Sequence, residues 1–236
     1  MKNILSVQAD AKTSKGVELG FLTGILYLAP HTSSGMGNVC PMAKVAQCHK
    51  ACLYTAGRGA MSSVQKARIA KTERFFNDRE AFMGDIVYSI KALVRKAERE
   101  GLTPLVRLNG TSDISWENIK VGDYNNIFEA FPNVQFYDYT KIPNRDGIPL
   151  NYDLTFSYSG VEGWQKHVER AKVNINLRRI AVVFSHRERA PRQFNGWPVV
   201  DGDNTDVRHL DGNRTIVGLY AKGKAVKDKT GFVVQV

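Results

Sequence analysis

The sequence predicts an α/β fold of about six mostly parallel strands, closed into a partial or distorted (β/α) barrel. Three observations lead there. Apolar runs of strand length recur along the chain, amphipathic helical stretches alternate with them, and polar residues able to do chemistry cluster just after the strands. Strands that alternate with helices imply right-handed βαβ units and therefore a parallel sheet. In such sheets, reactive groups gather at the carboxyl ends of the strands.

Residues 21–29 form the first apolar run, and Pro30 stops it because proline cannot donate to a strand ladder. Residues 62–76 read as a helix. Asp78 caps a second and better one, in which Phe82, Ile86, Ile90, Leu93, Val94 and Ala97 recur at helical spacing before Gly101 ends it. Further strands are expected at 104–108, 134–139, 154–158, 180–185 and 215–220. Helical stretches are expected at 124–131 and around Trp164, Val168 and Ala171, while 141–151 and 186–213 read as irregular. No repeat or Pro/Gly/Ser-rich linker divides the chain, so residues 1–236 are expected to form one domain.

No apolar run approaches the ~20 residues that cross a bilayer, and the start of the chain lacks a secretory apolar core. A soluble, cytoplasmic protein that does not engage membranes is the expectation. Lys and Arg outnumber Asp and Glu by 33 to 23, giving a net charge of +10. That balance favours polyanionic partners, nucleotide or nucleic acid, because a positive surface attracts phosphates and releases their counterions.

The three cysteines of the chain, Cys40, Cys48 and Cys52, all fall in the loop 35–59 after the first strand. An odd number of thiols in a reducing compartment points to metal ligation or catalysis rather than disulfides. Three thiolates are one short of a closed structural zinc site. A [4Fe-4S] cluster held by three cysteines instead keeps one iron open to a small molecule. The competing reading is a Cys3His zinc site completed by His31 or His49.

Polar groups follow the later strands. After the second come Asn109, Gly110, Thr111, Ser112 and Asp113; after the third, Asp138 and Lys141; after the fourth, Ser157 and Ser159; after the fifth, Ser185. These are the candidate ligand-binding residues, with the glycine allowing close backbone approach and its neighbours offering hydroxyl and carboxylate partners. Alternatively, Ser112 or Asp113 caps a helix that starts at Trp116. The acidic stretch 201–206 lacks the spacing and terminal glutamate of a calcium loop and reads as a solvated turn, unless Asp203 and Asp206 line the barrel mouth.

The loop Cys40-Pro-Met-Ala with Cys48 and Cys52, then Tyr54, the turn Ala56-Gly57-Arg58-Gly59, and the later stretches 106–113 and 136–141 resemble the gene product 88-like family of uncharacterised tailed-phage proteins. This resemblance covers most of the chain and implies a phage-encoded protein acting in the infected host cell. More distantly, a strand, a three-cysteine loop and further βα units resemble the radical S-adenosylmethionine superfamily. Its members separate their cysteines by three and then two residues; here seven and then three intervene. By that resemblance Cys40, Cys48 and Cys52 hold the [4Fe-4S] cluster, and segment 109–113 meets the methionine amino group of S-adenosylmethionine. A reductant protein then supplies the electron that generates a 5′-deoxyadenosyl radical. The expected function is a radical S-adenosylmethionine-type enzyme acting on an unknown substrate, with nucleotide or nucleic acid favoured. The alternative is a zinc-stapled nucleic-acid-binding module without enzymatic activity, whose Tyr137, Tyr139, Tyr152, Phe156 and Tyr158 stack on bases.

Overall fold

In the computed structural model, which describes residues 1–8, 11–52, 54 and 56–236, the strands follow one another across the sheet in chain order. Strands β2 (Phe21–Ile25), β3 (Thr103–Arg107), β4 (Gln135–Thr140), β5 (Tyr152–Ser157) and β6 (Leu177–Phe184) each pair in parallel with the next. A short β1 (Ser6–Val7) runs antiparallel to β2. Beyond β6 come β9 (Ile216–Tyr220) and β8 (Trp197–Asp201), both parallel, and an antiparallel β7 (Gln193–Phe194) at the far edge.

The α/β class and the mostly parallel order are as expected, but two expectations change. The sheet has nine strands rather than about six, in the order β1-β2-β3-β4-β5-β6-β9-β8-β7. It is open, because its end strands β1 and β7 do not pair with each other, so no closed barrel forms. The added strands are β1, β7 and β8. Two of them are two residues long and the third carries Pro198, so they exist through pairing rather than through local propensity. Segment 186–213, expected to be irregular, thus holds the β7–β8 hairpin and the widening of the sheet. The run 21–29 pairs as regular strand only to Ile25, although Leu26 still donates its N–H to Arg107 O at 2.8 Å.

The helices are α1 (Ala11–Glu18), α2 (Ser62–Asn77), α3 (Arg79–Glu100), α4 (Ile127–Ala130) and α5 (Gln165–Val173). Helix α3 behaves as its sequence dictates. Asp78 accepts the N–H of Ala81 at 3.1 Å, and Gly101 turns left-handed at φ 64° to end it. Its stripe of Phe82, Ile86, Ile90, Leu93 and Ala97 is buried in the main core with Leu22, Val106, Phe136, Leu154 and Val182 of the sheet. The helix expected at 124–131 shrinks to the single turn of α4, capped by Asn126. No helix among the described residues is long and apolar enough to cross a membrane.

The opposite face of the sheet carries charged residues beside a small apolar cluster of Leu105, Tyr137 and Val207. Arg107, Tyr137, Asp153 and Arg179 stand on it, and segment 202–214 lies across them. Asp206 Oδ2 meets Arg107 Nη1 and the Tyr137 hydroxyl, each at 3.1 Å. Arg179 pairs with Asp153 and donates to Asp211 O at 2.7 Å, and Arg208 meets Asp211 at 2.9 Å.

Because Asp78 supplies the only side-chain acceptor seen at the start of α3, Asp78→Ala should lower the unfolding free energy by about 1 kcal/mol. Urea denaturation with an unchanged m-value is the expected result; an unchanged midpoint would mean that the cap contributes nothing.

Candidate functional site

The cysteine loop sits at the carboxyl ends of β2 to β5, as the strand order requires. Hydrogen bonds from other parts of the chain hold it and the segment that leads into it. The buried Ser159 hydroxyl donates to Ala46 O at 2.9 Å, and Thr111 Oγ1 donates to Leu28 O at 2.5 Å. The Asp113 N–H donates to Val39 O at 2.8 Å, and the Ala29 N–H to Thr72 Oγ1 at 2.8 Å. Gly110 is needed there: a Cβ would lie 2.7 Å from Ile25 Cγ2, Leu26 O and the Tyr27 ring. Within the loop, Leu53 and Thr55 lie outside the described residues.

None of the three cysteines forms a disulfide, and each is half-buried. Cys40 Sγ accepts the His31 N–H at 3.3 Å and donates to Thr111 O at 3.7 Å; Cys48 Sγ donates to Ala43 O at 3.8 Å. Burial raises the pKa of all three, that of Cys40 to about 12. Among them stands the buried ammonium of Lys141, which donates to Ser157 O at 3.1 Å, Ser157 Oγ at 2.9 Å and Tyr158 O at 3.1 Å. Burial lowers the pKa of Lys141, while Cys48, Asp113, Cys52 and Cys40 all act to raise it. The rings of Phe232 and Trp164, at 4.8 and 5.6 Å, flank the same ammonium.

Three thiols are a donor set that suits a soft metal or an iron–sulfur cluster. Neutral thiols must lose protons to ligate, and the Lys141 ammonium is placed to offset the thiolate charge. In the arrangement described, the sulfurs bond to backbone. Among the described residues no group of three or more His, Cys, Asp or Glu side chains is arranged to hold a metal ion. His31 and His49 stack with ring centroids 5.5 Å apart, and His49 Nδ1 lies 3.0 Å from Ala43 O.

Most of the other expected ligand-binding residues also converge here, and their polar atoms are engaged within the fold. Asn109 Oδ1 accepts from the Ser112 hydroxyl, the Ile114 N–H and Trp116 Nε1 at 2.8, 2.9 and 3.1 Å. Asp113 Oδ2 accepts the Lys141 N–H at 2.8 Å, and its Oδ1 lies 3.7 Å from Arg145, which is clamped by Glu117. Neither Ser112 nor Asp113 caps a helix: the turn at Trp116–Asn118 follows Ser115, which makes no capping bond. Asp138 accepts the N–H groups of Asn109 and Leu108 and the Tyr152 hydroxyl, at 2.9, 3.2 and 3.2 Å. Burial pushes its pKa up to about 7 against those bonds and Arg107. Ser185 accepts the Val236 N–H at 3.0 Å and serves the C-terminal segment instead.

The acidic stretch is engaged by cations. Arg187 pairs with Asp201, Lys222 reaches Asp203 at 2.6 Å, and the buried Asp206 meets Arg107. Tyr137, Tyr152 and Phe156 are buried in the fold, so they are not stacking surfaces for bases. The sequence reading missed Arg68. Its guanidinium lies 4.7 Å from the Tyr27 ring and 5.9 Å from the Tyr54 ring beside the cysteine loop. The only local signal was a basic residue on an otherwise mixed helix.

Compared with known families, residues 3–236 match the family described as gene product 88, and the chain belongs to that family. No curated protein and no solved structure matches it. The more distant resemblance to the radical S-adenosylmethionine superfamily finds no support in these comparisons.

With metal removed by chelation, the folded protein should react slowly with iodoacetamide at pH 7, because burial disfavours the thiolate that attacks. Unfolding in urea should speed all three sites. Lys141→Met should slow Cys48 further, since the ammonium favours its thiolate. Mass-spectrometric rates per cysteine test this, and fast labelling of the folded chain would show that the thiols are not shielded.

Proposed function

We propose that this phage-family protein holds an iron–sulfur cluster on Cys40, Cys48 and Cys52 at the carboxyl end of its sheet. The observation that carries the reading is that all three thiols lie in one loop tied to the carboxyl ends of β3 and β5, where the Lys141 ammonium is also held. Lys141 and Arg68 would offset thiolate charge, and Phe232 and Trp164 would limit water. A cluster on three thiolates keeps one iron for an outside ligand. With S-adenosylmethionine as that ligand, a reduced cluster would supply the electron for cleavage of the sulfonium, on behalf of a nucleotide or nucleic-acid substrate.

The second reading is a zinc staple in a nucleic-acid-binding module. It is favoured by the stacked His31 and His49 beside Cys40.

Anaerobically purified protein should be brown, absorb broadly near ~400 nm and contain iron and acid-labile sulfide. Cys40→Ala, Cys48→Ala and Cys52→Ala should each lose the cluster. A colourless protein that contains zinc would favour the module, and full iron retention in Cys40→Ala would place that residue outside the site.

S-adenosylmethionine should perturb the electron paramagnetic resonance spectrum of the reduced cluster. An unchanged spectrum at saturating ligand, with no 5′-deoxyadenosine after dithionite reduction, would reject the radical chemistry while leaving the cluster in place.

A further inference from the structure

Among the described residues, no carboxylate pairs with the buried cation Arg68. Its side chain sits on α2 at 9% exposure, and neither Nε nor Nη1 makes a hydrogen bond. The groups that act on its charge are the Tyr27 phenol, the Cys52 thiol and the Tyr54 phenol. A buried charge left so is costly, and structures seldom retain one without a compensating anion.

A second cation lies one turn further along α2. Lys71 is held at about 8 by burial and by Arg68, and among the described residues it makes no ion pair. Gln65, one turn before Arg68, donates its amide to Gly59 O at 3.1 Å. Spacing of three residues keeps Gln65, Arg68 and Lys71 on neighbouring parts of one helix surface.

A pocket of about 560 Å³ opens beside Gln65, lined by Tyr54, Ala60, Gln65, Gly223, Lys224 and Lys227. That volume lies in the range of small-molecule sites, ~300–1,000 Å³. Tyr54 joins the two features: it lines the pocket, and its ring lies 5.9 Å from the Arg68 guanidinium. Gly59 lets the backbone at Tyr54 pack close to the same guanidinium, since a Cβ there would come within 3.3 Å of Arg68 Nη1 and 2.6 Å of Tyr54 O. No carboxylate lines the pocket, and two of its six lining residues are lysines.

We propose that this pocket binds a small phosphate-bearing molecule, with Lys224 and Lys227 at the rim and Arg68 as the buried cation behind Tyr54. Arginine suits the inner position, because its planar fork binds phosphate oxygens in pairs and it is weakly hydrated. The site needs no metal, so its failure and that of the cluster reading are separable.

The test is calorimetric titration of the full chain with inorganic pyrophosphate at low salt, with a single-stranded oligonucleotide lacking terminal phosphates as the second probe. Wild type should bind pyrophosphate, and the affinity should fall as salt rises. Arg68→Gln should weaken binding roughly tenfold or more, as expected for loss of a charge-assisted hydrogen bond. Lys227→Gln, at an exposed position that does not threaten folding, should weaken it several-fold. Lys96→Gln on α3, far from the pocket and paired with Glu100, should leave it unchanged. The proposal is overturned if wild type does not bind pyrophosphate, or if Lys227→Gln binds as wild type does. Equal losses in Lys96→Gln would reduce the effect to net charge and overturn it too. Binding of the oligonucleotide alone would reassign the surface to a nucleic-acid backbone and reject the small-molecule site.

Discussion

When parallel strands follow one another in chain order, right-handed crossovers must all return over the same face of the sheet. Strands β2 to β6 do this, so α3, α4 and α5 share one apolar layer, and the other face receives no crossover helix from that run. Something else must cover it. Segment 202–214 does so, in part with charge: Asp206 meets Arg107, Arg179 donates to the Asp211 carbonyl and pairs with Asp153 on the sheet, and Arg208 pairs with Asp211 within the segment. Buried ion pairs contribute modestly to net stability, but removing one partner leaves an uncompensated charge, so they constrain where the covering segment lies.

The same order sends the carboxyl ends of β2 to β5 to one edge, where the cysteine loop is tied down. Residues with ligand-like chemistry at those strand ends largely hold the loop. Ser159 fixes Ala46, Thr111 fixes Leu28, and Asn109 organises its own turn through one side-chain oxygen. Asp113 joins the ends of β3 and β4 by accepting the Lys141 N–H. A polar strand end is therefore a place where a site is built, and many of its polar atoms serve the building.

Charge ties the cysteines to the basic pocket next to them. Lys141 and Arg68 both act on Cys52, one from the sheet and one from α2. Lys141 is satisfied by three acceptors, while Arg68 keeps two buried donors without a partner. The net charge of +10 thus has a local expression, in cations that the fold buries without carboxylates among the described residues. In a dry setting, such cations act on thiols and on incoming anions far more strongly than surface lysines do.

Local chemistry by itself determined the parts whose signals lie within a few residues. The Asp78 cap, the stripe from Phe82 to Ala97 and the Gly101 stop define α3, and the apolar runs define the five strands β2 to β6. The grouping of three cysteines after the first parallel strand was likewise legible, because the topology of parallel sheets says where such a loop must lie. Tertiary structure decided the rest. Strands of two residues, such as β1 and β7, have no propensity to read and form only when an edge is there to pair with. Whether Asp113 caps a helix or holds Lys141 depends on a partner 28 residues away. The raised pKa of Cys52 beside Arg68 comes from burial, which sequence spacing does not encode. Distant partners and desolvation set these outcomes, and both come into being only when the chain closes on itself.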